Sequence, residues 1–522
     1  MSTTDYCVLK PEVFWLGIFL LVVSVSNGLG QGQSGPAAAD RSVSDSAAAA
    51  ALQTDPKIQT ELGVKCAEQG DYDRAVEYFR QAAAQGYADA QSRLGWCWFN
   101  GKGLATNPVE AVKWYQRAAD QALPKAQHNL AVCLFEGQGT NRNESAAATW
   151  FRRAAEQGYA PAQANLGACY HHGRGVSQDP AEAVRWFRKA AEQNLAEGQM
   201  RLGECYLEGK GVAPNLVEAV QWFRRAAEQG NAAAQSYLGQ CYLAGRGVSP
   251  NDGLAVRWLR SAAEQGEAVA QSNLGMCYLQ GRGVTRDGQQ AVAWFRKAAA
   301  QNDAVAQNNL AACYIDATGV SRDYGEAVRW LTLAANQGLP EAQTKLGWFH
   351  FTGLAIKKDP REAFEWFRKA AVQGFPKAQH NLGVCYLNGQ GVHPQADEAV
   401  QWFRRAAEQN YAEAQHNLGI CLLEGRGIQA DPIQATSWFG KAAQQGLAEA
   451  QFQYGLALEK GRGVEKNLVL AFQWFLLAAR QEDAEANSAA KRLRKNLSQT
   501  QIREAEQAAE LWHPPGGLDL AR

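Results

Sequence analysis

A chain of 522 residues has the length of three or four globular domains. Its 50 Gly against only 16 Pro, with frequent Trp, Phe and Tyr, suit closely packed helices joined by short turns and exclude wholesale disorder. The 52 basic and 52 acidic residues cancel, which excludes the long-range field that draws a protein to nucleic acid or an anionic membrane, so no nucleic-acid partner is expected.

Val13 to Ala39 carries no charge, and its apolar heart, Val13 to Val25, is 13 residues long. That is short of the roughly 20 residues of a membrane-spanning helix and matches the apolar region of an export signal. Ser24-Val25-Ser26 offers small residues for cleavage after Ser26, while Asp5 and Glu12 offset Lys10 and the amino group. Residues 1–26 therefore read as a cleaved signal peptide, as a retained N-terminal anchor, or as an apolar run without targeting meaning. Cys7 precedes the run and is badly placed for lipid attachment after cleavage. The expected location is exported (periplasmic, cell-surface or secreted) or membrane-anchored through this segment, with no other membrane contact. Residues 27–54, rich in Gly, Ser, Ala and Gln, read as a flexible linker.

From Asp55 onward the chain repeats itself. The Gln of a recurring Ala-Gln-x-x-Leu-Gly falls at Gln91, Gln127, Gln163, Gln199, Gln235, Gln271, Gln307, Gln343, Gln379, Gln415 and Gln451, each step being 36. An aromatic pair keeps the same step, from Trp114-Tyr115, Trp150-Phe151 and Trp186-Phe187 to Trp474-Phe475. One further unit precedes these, with Gln59, Leu62, Gly63 and Tyr78-Phe79. Its Gln lies only 32 residues before the next, because the unit lacks the later turn insertion. The count is twelve units, the first of them short.

Each unit predicts two helices. In the unit of Gln163, Ala162, Leu166, Cys169 and Tyr170 recur at the spacing of one apolar helix face. Gly173-Arg174-Gly175 breaks that helix, and Asp179-Pro180 opens the second with a side-chain acceptor and a residue that lacks an amide hydrogen. Ala183, Phe187, Ala190 and Ala191 form the second buried stripe. Asn194 closes the unit where most units have Gly, as at Gly158 and Gly230, since both types accept a left-handed backbone. A lone pair cannot cover its apolar faces, so stacking is required. The fold expected is all-α, an α-α superhelix (solenoid) of about twelve helix pairs.

These motifs, Ala162-Gln163-x-x-Leu166-Gly167-x-x-Tyr170, the turn Gly173-Arg174-Gly175-Val176 and Ala183-Val184-x-Trp186-Phe187-x-x-Ala190-Ala191, resemble the Sel1-like repeat family, relatives of the tetratricopeptide repeats. The resemblance covers roughly Asp55 to Glu482. The first unit, residues 55–86 with Gly70-Asp71-Tyr72-Asp73-Arg74-Ala75, is closer to the tetratricopeptide version. The family implies adaptor, scaffold and signalling roles and no single ligand. Some relatives carry paired cysteines that bridge the two helices of a repeat; here the second Cys of each pair is missing, so no such staple is expected.

The repeats are expected to end at residue 483. Residues 484–512, with Lys491, Arg492, Arg494, Lys495 and an amphipathic run through Ile502, Ala505 and Leu511, read as capping helices or as a basic docking site, and residues 513–522 as a tail.

Nine of the eleven cysteines share one repeat position: Cys97, Cys133, Cys169, Cys205, Cys241, Cys277, Cys313, Cys385 and Cys421. Equivalent helices in adjacent repeats lie about 10 Å apart, beyond the reach of a disulfide or a shared zinc ion, so core packing is expected and no metal. The Gly-x-Gly turns recur without a preceding strand and are turns rather than a dinucleotide fingerprint. Their middle residues, Lys102, Arg174, Lys210, Arg246, Arg282, Arg426 and Arg462, would line one edge, either as a solvated rim or as a strip for an acidic partner. His128, His380 and His416 follow the marker Gln, and His171-His172 ends a first helix; no metal-binding spacing joins them. Ser488-Ala489-Ala490-Lys491 spells Ser-x-x-Lys, but its companion Ser-Asp-Asn and Lys-Thr-Gly segments are missing. No catalytic residue and no cofactor are expected, and the chain is not expected to be an enzyme.

If the array curves as tetratricopeptide arrays do, the first helices line a concave groove, and positions one, five and eight after the Gln face it. There the sequence varies, with Trp96, Phe99, Met200, Met276, Trp348, Phe351, His380, His416, Ile420 and Phe452 as candidate anchors for a protein or peptide. The alternative is that they only pack against the next repeat. The unit of Gln343 is the most irregular: Trp348-Phe349 replaces the Cys region and Gly353-Leu354-Ala355 the Gly-x-Gly turn. The functional expectation is a non-catalytic interaction scaffold or adaptor. The alternatives are a β-lactamase-like hydrolase, as claimed for some exported relatives, and a cell-wall or glycan-binding module. The partner and the oligomeric state have no signature in the sequence.

Overall fold

The computed structural model describes residues 54–514. The expected signal or anchor, nearly all of the linker and most of the tail lie outside the described residues. Among those described there are twenty-six helices and no strand, and no helix is long and apolar enough to cross a membrane. They fall into two compact bodies, one running to Ala270 and including Arg282–Val284, the other formed by Gln271–Gly281 and Thr285 onward.

The unit of Gln163 shows how sequence sets the local structure. Its first helix, Ala160–His172, stops at Gly173, whose φ of 70° is left-handed, a conformation glycine adopts without strain. Its second helix, Pro180–Glu192, starts where Asp179 accepts from the amides of Ala181 and Glu182, and Pro180 needs no partner for a missing N–H. After Gln193 the chain turns on Asn194 at φ 62°, where Gly158 in the preceding unit has 85°. Every helix from Pro56–Glu68 to Ala448–Lys460 has 13 residues, so the register of caps and faces repeats with the sequence.

Both sequence markers have a steric cause. Gly167 of the Leu-Gly pair lies against Phe187 of the Trp-Phe pair, and a Cβ at Gly167 would come within 2.7 Å of that ring. The small residue lets the two helices of a unit close on a phenyl group that is 2% exposed. Burying such a ring contributes about 1.5–3 kcal/mol. The second turn glycine acts between units: a Cβ at Gly175 would lie 2.0 Å from the Glu144 carbonyl oxygen, at the start of the preceding second helix. Ala355 stands at this position in the unit of Gln343 and keeps φ 62°.

The two helices of a unit pack on each other, as Ala160–His172 does with Pro180–Glu192, and the second packs on the next unit's first helix, as Pro180–Glu192 does with Ala196–Glu208, which Ala160–His172 also touches. The core is accordingly a string of overlapping clusters. One joins Phe187, Leu202, Phe223 and Leu238 across three units; another joins Leu331, Leu346 and Phe349 across two. Residues 484–511 form two helices, Ala484–Arg494 and Gln499–Leu511, opened by the Ser498–Gln501 capping box. Leu493, Ile502, Ala505 and Ala509 are buried with Phe472 and Trp474 of Leu468–Ala479, a helix apolar on nearly all sides. Arg492 pairs with Glu459 at 2.7 Å and Arg494 with Glu506 at 2.9 Å, so half of the basic cluster is internally compensated.

Candidate protein-binding site

The marker Gln is buried and stitches the stack. Gln163 donates from Nε2 to the Ala155 carbonyl of the preceding second helix at 3.1 Å. Its Oε1 accepts from Gln193, which caps its own second helix, at 2.7 Å. The same pair recurs in every unit, from Gln85 with Gln59 at 2.9 Å, 26 residues apart in the short first unit, to Gln481 with Gln451 at 3.0 Å, with the spacing of 30 that the later units keep. Where Asn replaces the closing Gly the ladder gains a link: Asn194 Oδ1 accepts from Gln199 at 3.0 Å and Gln229 at 3.3 Å. The capping Gln recurs in the sequence as strictly as its partner, and that was the available signal for this unforeseen role.

Position one after the Gln looks toward the next unit rather than outward. Ser92, His128, Ala164, Met200, Ser236, Ser272, Asn308 and Thr344 are all buried, and His380, His416 and Phe452 are half-buried. The side chains here meet position two of the following unit. Nε2 of His128 faces Asn165, Nε2 of His380 faces Asn417, and Lys345 donates to Asn308 at 3.0 Å. Met200 must therefore be removed from the set of outward-facing candidates, because it is 3% exposed and packs inside the cluster around Phe223.

Positions five and eight divide differently. Phe99, Met276, Phe351 and Ile420 are half-buried against neighbouring clusters, and Trp96 tilts against Tyr72 at 6.3 Å. Phe452 rests 5.8 Å from Phe475. Trp348 stands apart. It is 46% exposed, whereas every other residue at position five, from Val64 to Leu456, is half-buried. Phe349 has taken the thiol's slot at 1% exposure, and the indole of Trp348 meets its ring edge-on at 5.4 Å. One turn earlier on the same face lies Lys345, whose pKa burial pushes down.

The ten cysteines among the described residues are buried. Burial pushes the thiols of Cys97, Cys133, Cys169, Cys205 and Cys385 up to about 12, so they remain protonated. No group of three or more His, Cys, Asp or Glu side chains that could hold a metal ion occurs among the described residues. The turn bases do not form a free cationic strip. Arg174 reaches Glu144 at 2.7 Å and lies 3.9 Å over Phe135, Arg282 reaches Asp252 at 2.6 Å, and Lys210 pairs with Glu208 at 2.7 Å. The Ser488 hydroxyl donates to its own helix at Ala484 O, 2.9 Å away.

Linked helix pairs with a buried polar ladder define an all-α repeat solenoid. Twelve consecutive Sel1 repeats match, at residues 59–87, 88–123, 124–159, 160–195, 196–231, 232–267, 268–303, 304–339, 340–375, 376–411, 412–447 and 448–483. The chain belongs to the Sel1 repeat family, whose members are typically protein-interaction scaffolds and generally non-catalytic. It is similar to a protective antigen of uropathogenic Escherichia coli strains that displays an SLR fold. The two are 36% identical over 83% of this chain and 93% of that one, with a TM-score of 0.67. It is also similar to a Sel1 repeat protein from Oxalobacter formigenes, at 34% identity over 47% of this chain and 96% of that one, with a TM-score of 0.44. No curated protein matches the chain.

Proposed function

We propose that this protein is a non-catalytic scaffold that captures a protein or peptide on the face formed by its first helices, with Trp348 as the principal anchor. The observation that carries this reading is the 46% exposure of Trp348 at a position every other unit half-buries. A large rigid indole that the stack does not need supplies contact area at low entropic cost. Phe351, one turn along the same helix, is half-buried and extends the apolar contact. The apolar run Val13–Val25 supports export or anchoring, and an exported chain would meet its partner outside the cytoplasm.

Site-specific photo-crosslinking from position 348 of the full chain, in the native cell, tests both parts. The expected result is one dominant crosslinked protein, lost when Phe351 is also replaced by Ala. Equal yields from position 348 and from exposed Glu61 would overturn the anchor. Fractionation of the same cells reads the compartment, and recovery with the cytoplasmic proteins would overturn export.

A further inference from the structure

Two histidines do more than the repeat requires. At the position after the marker Gln, other units carry Ser92, Ala164, Ser236 or Thr344, so a small residue suffices for packing there. His128 and His380 place an imidazole instead. His128 is 3% exposed, boxed by Phe151 at 5.6 Å and Tyr159 at 5.4 Å; His380 lies between Phe403 at 5.8 Å and Tyr411 at 5.5 Å. In both, Nε2 is 2.9 Å from the side-chain nitrogen of an Asn in the next unit's first helix, Asn165 or Asn417. In both, Nδ1 is 3.3 Å from the side-chain oxygen of the adjacent residue, Asn129 or Asn381.

An amide nitrogen donates, so Nε2 accepts and Nδ1 carries the proton. Both imidazoles are neutral in this arrangement. A second proton sets donor against donor across the seam and puts a charge among aromatic rings. No carboxylate acts on His128, whose facing groups are Asn129, Asn165, Phe151 and the Tyr159 phenol. Around His380, Lys377 of its own helix and His416 of the next unit both oppose added positive charge, and the Tyr411 phenol is the other titratable neighbour. His416 in turn faces Glu449.

We propose that His128 and His380 are acid-sensitive joints: protonation uncouples the first helices on either side and loosens the stack at these two seams, leaving the seams with small residues unaffected.

Burial holds both groups at about 4 in the folded chain, below the usual 6.5. The unfolded chain therefore binds a proton first as pH falls. Each histidine's contribution is complete above pH about 6.5, declines toward pH about 4, and is constant below that. At pH 4.5 each histidine accounts for about an 80-fold rise in the unfolding constant, at tenfold per pKa unit.

The test compares urea unfolding of the full chain at pH 7.5 and 4.5 with that of His128→Asn, His380→Asn and the double variant. Asn308 already occupies the same position in another unit, and the acid sensitivity of the carboxylates is common to all four proteins. In each single variant the unfolding constant should rise between the two pH values by a factor tens-fold smaller than in the unsubstituted chain. An identical loss in the double variant overturns the proposal. Histidine ring NMR on the unsubstituted chain is the control for a variant that folds poorly: two rings should titrate near 4, and titration of both near 6.5 overturns it equally. At pH 4.5, amide exchange relative to intrinsic rates should accelerate in Pro124–Glu136 and Pro376–Asn388 over Ala232–Ala244; uniform exchange contradicts the seam assignment.

Discussion

The units of Gln163 and Gln343 have the same helix lengths and the same glutamine ladder, yet they treat position five in opposite ways. In the first, Ala168 and Cys169 are small, the helix faces close, and nothing large projects. In the second, Phe349 fills the thiol's slot and Trp348 is displayed to solvent, while Gln343 still bonds Ala335 at 3.1 Å and Gln373 at 2.9 Å. A unit can therefore change the face it presents without giving up the groups that join it to its neighbours. The ladder and the turn contacts are kept in both units, while the exposure of position five differs between them.

The turn gives the sharpest way to break this comparison. Gly175→Val forces a branched side chain onto the Glu144 carbonyl at a left-handed φ and should cost about 3 kcal/mol or more, read by urea unfolding. The reverse change in the other unit, Ala355→Gly, relieves a left-handed alanine and should be neutral or stabilising by up to about 1 kcal/mol. A loss in both would show that the two turns are not equivalent.

Gln163→Ala leaves the Ala155 carbonyl and the Gln193 amide without their buried partner and should cost about 1–3 kcal/mol. Gln343→Ala should cost the same, because the ladder is common to both units; a much smaller effect there would mean the irregular unit is held differently. Thiol labelling in native buffer should be slow at Cys169 and its equivalents, whose burial disfavours the thiolate, and should become fast only on unfolding. Rapid labelling of the folded chain would overturn the packing role. Trp348→Ala should cost little stability, less than about 1 kcal/mol for a half-exposed ring, yet it should weaken partner capture most. A large stability loss would move Trp348 from recognition to packing.

Much of the fold was legible because the repeat writes local rules twelve times. Asp179-Pro180, Gly173 and Asn194 encode caps and left-handed turns through their own backbone preferences, and they fall where expected. Less of the site was legible. Met200 and Trp348 both sit at variable positions of a first helix, but one is 3% and the other 46% exposed. Sequence spacing places a residue on a helix face without saying what lies opposite it.

The amino-acid sequence by itself determined the period, the two helices of each unit and their ends, since these depend on contacts and dihedrals within a few residues. Only the tertiary structure decided that position one points into the next unit while Trp348 does not. It also decided that each marker Gln is held by the Gln that caps the second helix of its own unit, and that Arg174 folds back onto Glu144 instead of lining a rim. Those outcomes depend on how closely one helix pair approaches the next, and that distance is set by side chains from two units at once.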